Sequence, residues 1–121
     1  MNDMKLGEIE LRFAKIVWAK APLGSGELVK LAAEAFSWKK STTYTVLKKL
    51  CEKGLFENRN GIVSVRISEE EYLAIRSEKT VEEEYTGSLP SFIAAFTSRK
   101  ALTRKEVDEI MKIIENNTKE G

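Results

Sequence analysis

The fold can be inferred from residues 41–67, which read STTYTVLKKLCEKGLFENRNGIVSVRI. The first half has apolar residues at helical spacing and Gly54 as a C-terminal stop, which predicts a helix over residues 41–53. The second half places Asn60-Gly61 between short runs rich in apolar residues, and this dipeptide suits a type I′ turn. The stretch therefore predicts a helix followed by a β-hairpin.

Alternation along the second hairpin strand predicts which of its side chains face the core. Val63, Val65 and Ile67 are expected to point inward, and Arg66 is expected to point outward. Arg59 then lies at the tip of the hairpin. The hairpin is thus predicted to have one apolar face and one polar face.

Helices are also predicted before this stretch. Residues 8–20 place apolar side chains on one face of an amphipathic helix, which Pro22 interrupts. Ser25 is expected to cap a second helix that runs to Phe36. Three helices followed by a hairpin are the order of a winged helix-turn-helix domain, so a mainly α fold with a small β-hairpin is predicted.

The C-terminal part of the chain is predicted to form a separate helical arm. Capping boxes that begin at Ser68 and Thr103 start two helices, and Pro90 lies in the first turn of another between them. The predicted organisation is therefore a winged-helix domain, residues 1–67, and a helical dimerisation arm, residues 68–121.

Charge is distributed unevenly along the chain. Residues 37–66 hold seven Lys or Arg and two Asp or Glu, whereas residues 67–121 hold eight and twelve. The middle segment is therefore suited to face a polyanion, and the acidic remainder is suited to face solvent or a partner protein. Double-stranded DNA is the polyanion that a winged helix-turn-helix domain would bind.

The candidate DNA contacts lie on the outer face of the third helix and on the hairpin. Lysines and arginines there can neutralise phosphates, while short hydroxyl side chains can reach base edges. At about 100° per residue, Thr42, Thr45 and Lys49 point away from the apolar face of the helix. The full predicted DNA-binding set is Lys39, Lys40, Ser41, Thr42, Thr45, Lys48, Lys49, Arg59 and Arg66.

The arm carries more apolar surface than so short a segment can bury by itself, which predicts burial against a second copy of the chain. The predicted dimerisation set is Tyr85, Leu89, Phe92, Phe96, Val107, Ile110, Met111 and Ile114. An alternative is that these helices fold back on the first domain. In another alternative, Tyr85, Phe92 and Phe96 line a pocket for a small ligand.

Other function classes are disfavoured by what the sequence lacks. It has no histidine and one cysteine, Cys51, so we expect no structural metal, no cofactor and no disulfide within the chain. It has no phosphate-binding glycine loop or nucleophile motif, so we do not expect an enzyme. Neither a signal peptide nor a membrane span is predicted, which favours a cytoplasmic protein. The remaining alternative is a winged helix that binds proteins and no nucleic acid.

Three groups of residues occur in an order and spacing that fit one known family. They are Ile16-Val17-Trp18; then Trp38, Thr42, Thr45, Leu47, Lys49, Leu50, Lys53 and Gly54; and finally Tyr85-Thr86-Gly87-Ser88 before Ser91-Phe92. In these residues the chain resembles the penicillinase repressor family, which also includes copper-responsive repressors. The resemblance extends over nearly the whole chain.

The resemblance implies a homodimer that sits on a dyad operator and blocks transcription. It places the third helix in the major groove, with Thr42, Thr45 and Lys49 at DNA-facing positions, and makes the C-terminal helices the dimer interface. In antibiotic-responsive members, a membrane-bound sensor protease triggers cleavage of the arm at an Asn-Phe bond that aligns with Ala95-Phe96. The resemblance therefore implies a membrane sensor protease system as a further partner.

The sequence also departs from the family pattern. Ala95 stands where the cleaved bond has Asn, which weakens the case for release by the same specificity, although Phe96 is retained. Residues 116–121 lack the cysteine cluster of the copper-responsive members, so copper or zinc control of that kind is not expected. Lys39 follows the tryptophan where many relatives have Ser, which changes one helix cap.

Overall fold

A computed structural model describes residues 4–120, which are mostly helical and include a small antiparallel sheet. The predicted fold class is confirmed, with a winged helix in the first part of the chain. The chain divides into two compact units, residues 1–78 and 79–121. Within residues 4–120, none of the helices is both long and apolar enough to cross a membrane. The elements of this described part are α1 Glu8–Lys20, β1 Leu23–Gly24, α2 Ser25–Phe36, α3 Lys40–Glu52, β2 Phe56–Arg59, β3 Ile62–Val65, α4 Glu69–Glu84, α5 Leu89–Arg99 and α6 Arg104–Asn116.

The predicted hairpin is confirmed. β2 and β3 pair antiparallel, with Arg59 opposite Ile62 at the turn. Both residues of the turn, Asn60 and Gly61, have positive φ angles of 54° and 79°, as a type I′ turn requires. A third strand, β1, was not predicted from the sequence. It pairs antiparallel with β3, so the strand order is β1-β3-β2.

One prediction about the hairpin is wrong. Val63 is buried as expected, but Val65 is exposed and Ile67 is only partly buried. The reason is that β1 has only two residues. It pairs with β3 at Ile62 and Val63, so within residues 4–120 β3 has no neighbouring strand on that edge beside Val65. Ile67 lies beyond the end of β3, and its backbone oxygen accepts a hydrogen bond from Trp18 Nε1 at 2.9 Å.

The core of the first unit is built from α1, α2, α3, the sheet and the beginning of α4. Tyr72 of α4 is buried in this core, and its hydroxyl accepts a hydrogen bond from the Leu6 N–H at 3.3 Å. The N-terminal part of α4 therefore packs with the winged helix. The largest fully buried side chains are Phe13, Phe56, Leu28, Leu47, Leu50, Leu55, Val17, Val63 and Thr43.

Side-chain caps explain where the later helices begin. Thr103 Oγ1 accepts a hydrogen bond from the Glu106 N–H at 3.1 Å, and Glu106 Oε1 accepts one from the Thr103 N–H at 2.9 Å. Ser88 Oγ accepts from the Ser91 N–H at the start of α5. Ser68 Oγ likewise accepts an amide hydrogen bond at the start of α4. The predicted starts of these helices are confirmed.

Ser25 does not cap α2, contrary to the prediction. Gly24 is the N-cap, and the Ser25 N–H donates to the Gly61 oxygen of the hairpin at 2.8 Å. The Ser25 side chain is buried, and its Oγ accepts a hydrogen bond from the Tyr44 hydroxyl at 2.9 Å. The hairpin thus holds the backbone before α2 so that the Ser25 hydroxyl meets α3 and not the α2 amides.

Removing the Ser25 hydroxyl is expected to destabilise the first unit. Ser25→Ala should lower the free energy of unfolding by about 1 kcal/mol, because the Tyr44 hydroxyl loses its partner. Tyr44→Phe should cost a similar amount, and the double variant should lose less than the sum of the single losses. Urea denaturation of the three variants measures these free energies. Strictly additive losses would contradict this hydrogen bond.

Candidate nucleic-acid interface

The third helix, α3, has two chemically different faces. Thr43, Leu47 and Leu50 are buried in the core of the first unit. The opposite face carries hydroxyl and ammonium groups at the surface. Apart from Lys40 in the first turn, the α3 side chains predicted to contact DNA are all exposed there, and they are Ser41, Thr42, Thr45, Lys48 and Lys49.

The two exposed threonines differ in what their hydroxyl groups can do. Thr45 Oγ1 donates to the backbone oxygen of Ser41 at 2.9 Å. Its lone pairs can still accept from a base amino group, and its methyl group can contact a thymine methyl. Within residues 4–120 the Thr42 hydroxyl has no hydrogen-bond partner, so it can donate or accept. Of these two threonines, Thr45 therefore offers a hydrogen-bond acceptor, and Thr42 offers a hydroxyl group that can donate or accept.

Lys39 and Lys40 lie at the start of α3. Lys39 is the N-cap residue and makes no side-chain capping bond, as expected for a lysine in place of a serine. The Lys40 ammonium lies 6.0 Å from the centroid of the Tyr44 ring, at the outer limit of a cation–π contact. Both lysines are exposed beside the N-terminal turn, the end of a recognition helix that enters the groove in helix-turn-helix proteins.

Lys49 is paired with a carboxylate from another helix. Its ammonium lies 2.8 Å from Oε2 of Glu10 in α1, a contact that was not predicted from the sequence. The other oxygen of Glu10 accepts from the Gly7 N–H at 2.9 Å. Hydrogen bonding to Lys49, and next to Gly7, holds the pKa of Glu10 below its ordinary value. Its position near the start of α1 marks Glu10 as a capping residue, but no local pattern reveals its partner on α3.

The arginines of the hairpin share one acidic partner, which was also missed. Arg59 Nη2 lies 2.9 Å from Oε1 of Glu57, and Arg66 Nη1 lies 3.7 Å from the same oxygen. The structure therefore brings Arg59 and Arg66, the two residues of the hairpin (the wing) that were predicted to contact DNA, together on one side of the hairpin. Since both arginine side chains are largely exposed, these ion pairs are weak and the guanidinium groups can turn to a phosphate.

Cys51 lies toward the inner side of α3 and is half-buried. Burial is the main cause that raises the pKa of its thiol, which keeps the sulfur protonated and poorly nucleophilic. Across residues 4–120, no group of three or more His, Cys, Asp or Glu side chains is placed to hold a metal ion.

The apolar side chains on α5 and α6 of the second unit are at most partly buried. α5 and α6 contain no buried residue. None of the predicted dimerisation residues is therefore enclosed within one copy of the chain. The four that are partly buried are Tyr85, Phe92, Val107 and Ile110. The four that are exposed are Leu89, Phe96, Met111 and Ile114.

α5 and α6 border an apolar groove of about 290 Å³. The Tyr85 ring meets the Phe92 ring edge to face at 5.3 Å, which anchors the start of α5. Ile93 and Leu102 belong to the groove but were not in the predicted set. The groove is lined by Phe92, Ile93, Phe96, Thr97, Leu102, Ile110 and Ile114.

The predicted release bond, Ala95-Phe96, lies in the middle of α5. Ser98 Oγ donates to the Ala95 oxygen at 2.7 Å, and the Lys100 N–H donates to the Phe96 oxygen at 3.0 Å. A protease that needs an extended substrate must first unwind this turn. The bond is therefore at the surface but protected by its helical conformation.

Known sequences resemble this chain across both compact units. The sequence profile of the family described as Penicillinase repressor matches residues 6–116. A Penicillinase repressor from Bacillus licheniformis is 25% identical over 117 aligned residues, covering 93% of this chain and 91% of that protein. The family consists of transcriptional repressors and not of enzymes. From this match, the chain belongs to the penicillinase repressor family and is a transcriptional repressor.

Proposed function

We propose that this repressor binds a dyad DNA operator as a homodimer, with α3 in the major groove and the hairpin beside the backbone. The observation that supports this most is the outer face of α3, where Thr42 and Thr45 stand among lysines while the opposite face is buried. A protein-binding surface would more often carry exposed apolar side chains there. None of the large exposed apolar side chains of residues 4–120 lies on α3.

The side chains of this face divide into two roles. Lys48 and the two lysines at the start of α3 neutralise phosphates and release counterions, which gives affinity without sequence preference. Ser41, Thr42 and Thr45 contact base edges. Because the Thr45 hydroxyl already donates to Ser41, it can only accept from DNA, and its partner is the amino group of adenine or cytosine. Alternatively, the Thr45 methyl group contacts the methyl group of thymine. The wing arginines contact the backbone or the minor groove.

Dimerisation through the second unit is supported by its uncovered apolar side chains. Ile114 of α6 is 52% exposed, and Phe96 of α5 lies beside the same groove. Burial of apolar surface contributes about 25 cal/mol per Å², so covering this groove would stabilise a dimer. A two-fold axis covers both grooves at once, because each copy presents the same surface to the other.

Release by a membrane sensor protease at Ala95-Phe96 stays a prediction, as does a cytoplasmic location. Cleavage at this bond would divide α5 and separate its C-terminal half and α6 from the rest of the chain. Residues on both sides of the bond line the apolar groove. Such a cut would therefore break the dimer interface and with it the paired contact to a dyad operator.

Selection from a pool of random DNA duplexes tests the proposed function. The full-length protein is incubated with the pool at about 50 mM and about 200 mM salt, and bound duplexes are sequenced. An inverted repeat that binds more weakly at the higher salt is expected. Failure to enrich any sequence, with weak binding even at low salt, would contradict the proposal and favour a winged helix that binds proteins.

Removing the Thr45 side chain is expected to relax sequence preference. Thr45→Ala should reduce discrimination at one base pair in each half-site by about 1–3 kcal/mol while leaving the affinity for random duplex unchanged. Competition between operators that differ at single base pairs measures this. Ser77→Ala, which removes an exposed hydroxyl on α4, is the control and should change neither quantity. Equal losses on operator and random DNA would exclude Thr45 from base reading.

Placing a charge in the groove of the second unit is expected to separate the protomers. Ile114→Glu should weaken self-association at least about tenfold, because the dimer would have to bury an unpaired carboxylate. Lys105→Glu introduces the same residue on the polar face of α6 and should leave the dimer intact. Sedimentation equilibrium measures both. A variant Ile114→Glu that dimerises as tightly as the parent chain would contradict this interface.

A further inference from the structure

Glu10 and Lys49 form an ion pair across two helices of the first unit. Glu10 lies in the first turn of α1 and Lys49 in the last turn of α3, with 2.8 Å between Glu10 Oε2 and the Lys49 ammonium. The Glu10 side chain is 15% exposed, whereas the Lys49 side chain is 59% exposed. The carboxylate is therefore sheltered, while the ammonium lies at the surface that carries the candidate DNA contacts.

A second contact holds the Glu10 carboxylate in place. Its Oε1 accepts a hydrogen bond from the N–H of Gly7, the N-cap of α1, at 2.9 Å. An anion at this end of a helix is also favoured by the helix dipole. Both hydrogen bonds lower the pKa of Glu10, the one to Lys49 most, so the carboxylate is ionised at neutral pH. Lys49 therefore has a fixed counterion built into the protein.

Lys48 is the natural comparison for Lys49. It is the preceding residue of α3 and is also exposed, but within residues 4–120 it forms no ion pair. The positive charge of Lys48 is thus balanced by mobile ions from the solvent, and that of Lys49 by the Glu10 carboxylate. These adjacent lysines should respond differently to a DNA phosphate.

We propose that Glu10 competes with DNA phosphate for the Lys49 ammonium and so limits the electrostatic part of the affinity for DNA. This inference rests on the proposed function. A phosphate that approaches Lys49 must displace a carboxylate held by two hydrogen bonds, so the gain is only the difference between two charge-assisted contacts. A phosphate that approaches Lys48 displaces only water and mobile counterions.

Salt dependence distinguishes the two lysines. Each phosphate that a protein cation neutralises contributes about 0.9 to the slope of log affinity against log salt, because condensed counterions are released from the DNA. A lysine that stays with Glu10 neutralises no phosphate and contributes nothing to this slope. If the ion pair had only a structural role, Glu10→Gln and Lys49→Gln, alone and combined, would keep the slope of the parent chain, provided that the protein stays folded.

The test measures binding of the full-length protein to a random-sequence duplex over a series of salt concentrations. Lys48→Gln is expected to lower the slope by about 0.9 for each bound protomer, and Lys49→Gln by less than half of that. Glu10→Gln keeps an oxygen for the Gly7 N–H but loses the charge, and is expected to raise the low-salt affinity about threefold. In the Glu10→Gln background, Lys49→Gln should lower the slope as much as Lys48→Gln does.

Glu8→Gln is the matched control for loss of an acidic charge. Glu8 lies in the same turn of α1, is exposed, and within residues 4–120 forms no ion pair. Equal rises in affinity for Glu8→Gln and Glu10→Gln would overturn the inference, as would equal slope losses for Lys48→Gln and Lys49→Gln with Glu10 present. In both cases the proposed function would stand. If the parent chain binds no duplex at all, the proposed function fails and the inference fails with it.

Discussion

Leu50 of α3 is fully buried in the same core as Phe13 of α1 and Phe56 of β2. Emptying such a position costs about 2–5 kcal/mol, so rotation of α3 about its axis is prevented by the packing of its inner face. The same packing fixes the directions in which Thr42 and Thr45 leave the helix. Hydrogen bonds to base edges require donors and acceptors held in this way, because small displacements lose them.

Short-range patterns predicted most of the elements. The observed α1, Glu8–Lys20, has the predicted bounds, and α3 runs over Lys40–Glu52, one residue earlier than expected. The turn at Asn60-Gly61 and the capping boxes follow equally local rules. The prediction that Ser25 caps α2 was wrong because the partners of Ser25, which are the hairpin and Tyr44, are distant in sequence. β1 was missed for the same reason, since a two-residue strand has no pattern of its own.

The candidate site shows the same division between local and distant information. Helical periodicity predicted which α3 side chains would be exposed, and the structure agrees for all of them. Glu10 was missed because its partner Lys49 lies on another helix, and Glu57 because its contact with Arg66 crosses the hairpin. The pair of Glu57 with Arg59, two residues apart on β2, follows a local pattern and could have been predicted. In the proposed function, these two carboxylates determine how much of the positive charge in the middle segment is available to DNA.

The placement of two α3 helices in the major groove of a dyad is tested most directly by methylation interference on a selected duplex. Guanine N7 lies in the major groove and adenine N3 in the minor groove, so the pattern reports which groove is occupied. Two blocks of interfering guanines are expected, related by the dyad and centred about one helical turn or a multiple of it apart. A single block, or interference at adenine N3 without interference at guanine N7, would contradict this placement.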